Sequence, residues 1–240
     1  MGKCLFLRKG ETHTAPISGI LASDLAVGSI VKLNENGTAV DYIVVHQGIP
    51  SDSYDESCNG TWLLRKDIYS TRVWDNVRND YENSGIHPYL NSGFIALFDN
   101  NVQSLIKQVK IPYTQGDGYS GSVVIRENGL STKIFLLSTK ELGWDYIQYT
   151  KNFGELLSYF GNCEETDAKR IAYTESGSAT AWWTRTPAGN SNGGAYTVTV
   201  IGGYKQINTN RSTTSGIRPA LILPSNALFD KNTLILKGVA

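Results

Sequence analysis

Between Ser176 and Phe229 the chain carries no aspartate or glutamate, and this limits what the stretch can build. A dense field of Asn, Thr, Ser, Tyr and Gly lies between two apolar anchors, Trp182-Trp183 and Gly216-Ile217-Arg218-Pro219-Ala220-Leu221. Solvated strands normally use Lys and Glu for solubility, so strands separated by Gly-rich turns with an uncharged outer face are expected. Small neutral hydrogen-bonding groups mixed with tyrosines are the chemistry of an adaptable recognition surface. No residue of the usual catalytic kinds lies among them. The stretch points to binding.

Composition sets wider bounds. The chain has 240 residues, with 22 Lys+Arg balancing 22 Asp+Glu. Zero net charge removes the long-range steering expected of a protein that lives on nucleic acid or an anionic membrane. Charged residues make up 18% and glycines number 24, which favours a turn-rich, β-containing protein over a helical one. Cys4, Cys58 and Cys163 are odd in number and far apart, so neither a disulfide framework nor a zinc site is supported, and assembly in a reducing cytoplasm is expected. No apolar run is long enough to span a bilayer, and the N-terminus lacks a secretion signal. Leu5-Phe6-Leu7 followed by Arg8-Lys9-Gly10 reads as a short strand or docking arm. Residues 1–22 are assigned to an arm for attachment or oligomerisation, and residues 23–240 to a single domain.

Along that domain the pattern predicts an α+β fold of short antiparallel strands, two or more helices and a loop-rich C-terminal third. Runs at Gly28–Leu33 and Val40–His46 flank the Asn34-Glu35-Asn36-Gly37 turn as a hairpin. Thr61–Arg65 continues as a strand. From Gly85, apolar residues at three-and-four spacing predict an amphipathic helix, and a second short helix begins near Asp99/Asn100. Ser122–Arg126 and Lys133–Leu137 around Asn128-Gly129 suggest another hairpin. Ser138-Thr-Lys-Glu141 matches a capping box, Gly143 challenges the helix it announces, and Phe153–Phe160 reads as a further helical turn or two.

Period-two alternation in the C-terminal third directs Val198 and Val200 to the core and Thr197 and Thr199 outward. Gly202-Gly203 reverses the chain. Beyond it Ile207 faces inward and Tyr204, Gln206, Asn208 and Asn210 face the other way. An ordinary half-buried sheet explains this alternation without any ligand. It does not explain the missing charges.

Ala181-Trp-Trp-Thr-Arg-Thr-Pro187, Ala195-Tyr196 and Gly216-Ile-Arg-Pro-Ala-Leu221 together resemble the closing portion of the C-type lectin-like fold in a bacterial and phage group. Pro88-Tyr-Leu-Asn-x-x-Phe94…Phe98 and Ile134-Phe-Leu-Leu-Ser138 extend the resemblance, which covers about Val27 to Pro224. The group includes the variable proteins of diversity-generating retroelements, which change displayed side chains on a fixed scaffold. Leu5–Gly19 also resembles the start of small virion proteins of phages. The resemblance implies a receptor-binding, tail-associated display protein, made in the bacterial cytoplasm and carried on the virion. It would bind a host-cell surface protein or glycan, contact other virion proteins through its arm, and form a homo-oligomer if the arm serves that role.

By the same resemblance Trp182, Trp183, Arg185, Gly216, Arg218 and Pro219 are scaffold, the arginines holding loops through backbone carbonyls. Within a display region of about 182–218, the displayed set is Thr184, Thr186, Asn190, Asn192, Tyr196, Thr197, Thr199, Tyr204, Gln206, Asn208, Asn210 and Arg211. Tyr196 also fits a scaffold position. No nucleic acid, membrane insertion, metal, cofactor or catalytic activity is expected. Gly118-Tyr-Ser-Gly-Ser lacks the spacing of a nucleophile elbow, Trp74-Asp-Asn76 echoes a calcium-lectin tripeptide in the wrong place, and Asp52–Glu56 lacks calcium-loop spacing. Two other readings remain: a virion structural subunit without a receptor, and an oxidase resembling formylglycine-generating enzymes. The second would need a late cysteine pair, and the last cysteine here is Cys163.

Overall fold

Trp182 and Trp183 are adjacent, so in a strand their side chains leave opposite faces. Both are fully buried, so the strand that carries them is covered on both sides. A computed structural model describes residues 19–147, 150–161, 168–189, 193–208 and 213–240, and two five-stranded sheets dominate it. In the first, Ile134–Phe135, Ala220–Leu223, Gly60–Arg65, Thr38–Gly48 and Ile30–Glu35 lie side by side. In the second, the order is Tyr204–Asn208, Gly194–Val198, Trp182–Pro187, Thr214–Ile217 and Ser70–Val73. Neighbours are antiparallel except Trp182–Pro187 and Thr214–Ile217, which run parallel. A three-stranded sheet contains Ile20–Leu21, Ala227–Phe229 and Leu236–Val239.

Two hydrophobic cores account for this arrangement. One gathers Leu63, Leu221, Val44, Trp183, Ala195 and Ile217, and the other Trp62, Leu64, Ile222, Val45, Trp182 and Val198. Consecutive residues of the same strands thus enter opposite cores, and both sheets form a middle layer between them. Strands buried on both faces read as continuous apolar runs rather than alternating ones, as Trp62-Leu63-Leu64 and Ala220–Leu223 do. The first hairpin forms as expected, with Ile30–Glu35 and Thr38–Gly48 paired across Asn36-Gly37, where both turn residues take positive φ of 49° and 77°.

The expected α+β class, a C-type lectin-like fold with two or more helices, is overturned. The described residues form 17 strands in five sheets, are 15% helical, and contain one helix of seven or more residues. That helix runs from Ile86 to Leu97, with a π-wound middle at Leu90–Phe94. The Asn91 side chain holds it against the first sheet, its Oδ1 accepting from Lys133 N at 2.9 Å and Ile134 N at 3.0 Å. Asn100–Leu105 is a helix of 6 residues. Phe153–Phe160 forms no helix: Gly154 sits at φ 91°, where an α-helix cannot pass. The hairpin expected across Asn128-Gly129 does not form either. Ser122–Val124 pairs with Tyr113–Gln115, while Ile134–Phe135 pairs with Ala220–Leu223.

Residues 1–18 of the arm lie outside the described residues. Its last part belongs to the body, since Ile20 and Leu21 pair with Phe229 and Leu228 and Ala22 is buried.

Candidate functional site

The capping box at Ser138 forms its reciprocal bonds without a helix. Ser138 N donates to Glu141 Oε2 at 2.8 Å, and Glu141 N donates to Ser138 Oγ at 3.1 Å. The helix is lost because Glu141 has a stronger partner. Arg185 and Glu141, both with 0% side-chain exposure, meet in a two-pronged ion pair, with Nη2 to Oε1 at 2.5 Å. Tyr54 Oη donates to the same carboxylate at 2.7 Å. Arg185 also donates to the carbonyls of Leu136 at 2.8 Å and Pro112 at 3.2 Å, which fits the expected carbonyl-binding role and adds the ion pair to it. Arg218 binds a carbonyl as well, its Nε donating to Arg65 O at 2.9 Å. Burial opposes the charge of the Arg185 guanidinium, but the carboxylate outweighs it and raises the Arg185 pKa. Cys58 lies in the same field. Burial first, then Glu141, pushes its thiol up to about 12, which makes it inert rather than nucleophilic. With its donors and acceptors used internally, this hub fixes a turn and offers no reactive group.

From that turn the chain passes Gly143, at φ 100°, to Trp144. The Arg170 guanidinium stacks 4.6 Å from the Trp144 ring and donates through Nε to Leu142 O at 2.7 Å, which fixes the indole. Tyr204 stands against Trp144 at 5.3 Å between centroids and against Tyr196 at 6.0 Å. Thr150 Oγ1 donates to Tyr196 Oη at 3.2 Å, and Gly189 N donates to Thr150 Oγ1 at 3.3 Å. Trp144 therefore touches the edge strand Tyr204–Asn208, and Thr150 touches its neighbour Gly194–Val198. Tyr146, between them in sequence, is 74% exposed. Register places Tyr196 opposite Gln206 and Val198 opposite Tyr204, so these four share one face. Trp144 and Tyr196 are buried, while Tyr204 is 44% exposed. The result is an aromatic shelf: an accessible tyrosine braced by buried rings, with the half-buried Gln206 on the same face.

The twelve expected display residues divide sharply. Tyr204 is exposed, and Thr199 and Gln206 are half-buried. Thr184, Thr186, Tyr196 and Thr197 are buried, correcting the expectation of one exposed surface through them. Thr184 and Thr186 lie on the central strand of a sheet covered on both faces. Thr184 Oγ1 donates to Tyr196 O at 2.9 Å, and Thr186 Oγ1 accepts from Thr139 N at 3.0 Å. Thr197 faces the Trp183 core because Trp183 is its cross-strand partner, and its hydroxyl donates to Lys205 O at 3.1 Å. Val200, expected in the core, is 47% exposed in the reversal before Tyr204, beside Ile201 at 62%. Asn190, Asn192, Asn210 and Arg211 lie outside the described residues, and Asn208 is described only as a strand residue paired with Gly194.

Trp144 and Tyr146 were not marked by the sequence reading. The signal available was an aromatic pair straight after a capping box whose helix Gly143 interrupts. Other motifs have local duties. Asp75 accepts from the N–H groups of Val77, Arg78 and Gly85, and Asp117 holds Tyr119 and Ser120 in a tight turn. His46 Nδ1 meets both Ser158 N and Ser158 Oγ, locking the loop beside Trp62.

Residues 59–225 match the model of a family described as a domain of unknown function, DUF6273. No curated protein and no solved structure matches the chain. The matched span begins one residue before the Gly60–Arg65 strand and ends after Ala220–Leu223, and it includes the Arg185–Glu141 hub, both tryptophans and the aromatic shelf. It covers more than half of the sequence, and the chain belongs to this family.

Proposed function

We propose that this protein is a ligand-binding protein without catalytic chemistry, and that its aromatic shelf is the contact surface. The observation that carries the reading is Tyr204, 44% exposed although its ring packs on Trp144 and Tyr196. A braced, accessible tyrosine offers large contact area for little loss of rotamer freedom. Gln206 and Thr199 add neutral donors and acceptors beside it, and the surrounding stretch from Ser176 to Phe229 carries no carboxylate. The accessible side chains of Tyr204, Gln206, Thr199 and Tyr146 are neutral, with Asp145 exposed next to Tyr146 in sequence, and such side chains suit a polar partner, a glycan or a polar protein surface.

In the fuller form of the proposal the protein is a receptor-binding component of a phage tail that recognises a bacterial host surface. What suggests that form is the resemblance of Leu5–Gly19 to the start of small virion proteins of phages, not the overturned C-type lectin-like fold. If the surface is diversified, the variation falls among the described residues at Thr199, Tyr204 and Gln206, not at buried Thr184, Thr186 or Thr197. The neighbouring DNA tests this: a near-copy of the Trp182–Arg218 segment differing mainly at adenines, beside a reverse transcriptase gene, supports it. Binding itself is tested by titrating labelled protein onto a panel of intact bacterial strains. Tyr204→Ala/Gln206→Ala should remove the binding of the parent. Periodate or protease treatment of the cells then separates a glycan from a protein receptor. Absence of binding to every strain, or equal binding by the variant, overturns the proposal.

A further inference from the structure

The end of the first sheet that carries the Asn36-Gly37 turn borders a cavity of about 950 Å³. Its walls are that hairpin, the chain leaving Arg65, Leu97 at the end of the helix, and the loop from Tyr173 to Gly177. The volume lies within the range of small-molecule sites. Internal bonds fix its polar groups. Arg65 donates from Nε to Glu35 Oε1 at 3.0 Å and from Nη1 to Asp67 O at 2.9 Å, and Tyr42 Oη donates to Glu35 Oε1 at 2.6 Å. Asp41 pairs with both Lys32 and Lys66. Two tyrosines border these groups. The Tyr69 ring stands 4.9 Å from Phe94 and 5.6 Å from the Arg65 guanidinium. Tyr173 is 45% exposed, yet its main chain is held at both polar atoms: N donates to Asp67 Oδ1 at 3.2 Å, and O accepts from Ile68 N at 2.9 Å. Glu175, exposed on the same loop, makes no hydrogen bond or ion pair among the described residues.

We propose that this cavity is a binding site for a neutral saccharide, separate from the aromatic shelf. Glu35 with Arg65, and Asp41 with its lysines, are charges already paired in contact. Such pairs offer directional acceptors and donors rather than an unopposed charge, which suits hydroxyl groups better than a phosphate or a free amine. A tyrosine offers an apolar ring face together with a polar tip that can stay wet, the match for a sugar ring with its C–H face and its rim of hydroxyls. Tyr173, accessible on an anchored backbone, supplies that face. The unengaged carboxylate of Glu175 accepts from sugar hydroxyls, and its charge strengthens those bonds. Because the wall groups are already bonded to one another, little ordering remains to be lost on binding. No residue of the shelf lines the cavity, so the proposal does not depend on the shelf.

The test is an amide chemical-shift titration of the isotope-labelled full chain with cellobiose, maltose, lactose and diacetylchitobiose. Each is added to about 20 mM, enough to register millimolar affinity. At least one should move the amides of Ile68, Tyr173 and Glu175 along a saturating curve. Tyr173→Ala should weaken that binding at least about fivefold, while Tyr173→Phe keeps it within about twofold of the parent. Glu175→Ala should weaken it at least about threefold, and Tyr204→Ala should leave it unchanged. An unchanged melting temperature for Tyr173→Ala separates lost stacking from lost fold. No movement with any of the four sugars, equal affinity in Tyr173→Ala, or movement confined to Tyr204 and Gln206 would overturn the proposal. So would putrescine moving the same amides where no sugar does, since the cavity would then be a cation site.

Discussion

Replacing Arg185 by methionine keeps most of the side chain's volume and removes its charge. The Glu141 carboxylate is then left at 0% exposure without a cation, retaining only the Tyr54 hydroxyl and the Ser138 N–H as donors. Breaking one side of a buried ion pair in this way costs about 3–5 kcal/mol, because the remaining charge is uncompensated. The carbonyls of Leu136 and Pro112 also lose their donor, which places the expected loss toward the upper end of that range. For a domain of this size the change corresponds to a fall in melting temperature of about 6–20 °C. Urea denaturation followed by tryptophan fluorescence measures it, with an unchanged m-value showing that the native state remains compact. Adding Glu141→Gln to Arg185→Met removes the orphaned charge but keeps an acceptor for Tyr54, and should return about 1–3 kcal/mol. If Arg185→Met unfolds within about 1 kcal/mol of the parent, or if Glu141→Gln makes it worse, the hub is not a desolvated ion pair and the reasoning fails.

Trp183→Ala opens a cavity between the second sheet and the Ile86–Leu97 helix and removes the bond from Nε1 to Arg72 O at 2.9 Å. A loss of about 3–5 kcal/mol in the same assay is expected, and parent-like melting would refute the two-core packing. Burial lowers the pKa values of His46 and His87 below the usual histidine range. The unfolded chain therefore binds more protons, so stability should be full above about pH 6.5 and fall as the solution is acidified through that value; His87→Gln should reduce the slope, and a flat profile would contradict the burial. With Cys4 and Cys163 replaced by serine, Cys58 should resist thiol reagents at pH 8 until the protein is unfolded, and rapid labelling of the native state would refute its burial. The absence of Asp and Glu between Ser176 and Phe229 leads to the expectation that binding needs no calcium, and a chelator should leave ligand binding and the melting temperature unchanged. A loss on EDTA treatment restored by calcium would count against this.

Local signals in the sequence carried much of the strand layout. The Asn36-Gly37 hairpin, the Gly60–Arg65 strand, the helix from Ile86 and the face shared by Tyr204 and Gln206 follow from turn chemistry and periodicity. Failures came where tertiary partners decide. Thr197 looks outward by alternation, but both faces of its strand are covered at that position, one by each core. Ser138 and Glu141 form the bonds of a capping box, yet a carboxylate claimed by Arg185, 44 residues away in sequence, closes a turn instead of starting a helix. The C-type lectin-like expectation placed its motifs on scaffold positions that are indeed buried, Trp182, Trp183 and Arg218, but fixed tryptophans and arginines do not specify how many helices accompany them. Trp144 belongs to the shelf through its contact with Tyr204, a residue so distant in sequence that no local pattern announces it.

The most direct test of the binding account is to map the contact surface itself. Amide and aromatic chemical shifts would be recorded while the protein is titrated with a surface glycan or receptor fragment released from a strain that it binds. The account predicts shifts concentrated at Trp144, Tyr146, Tyr196, Tyr204 and Gln206, abolished by Tyr204→Ala/Gln206→Ala, with the variant's melting temperature within about 3 °C of the parent. Shifts centred elsewhere on the molecule, or a variant that binds as the parent does, would contradict it.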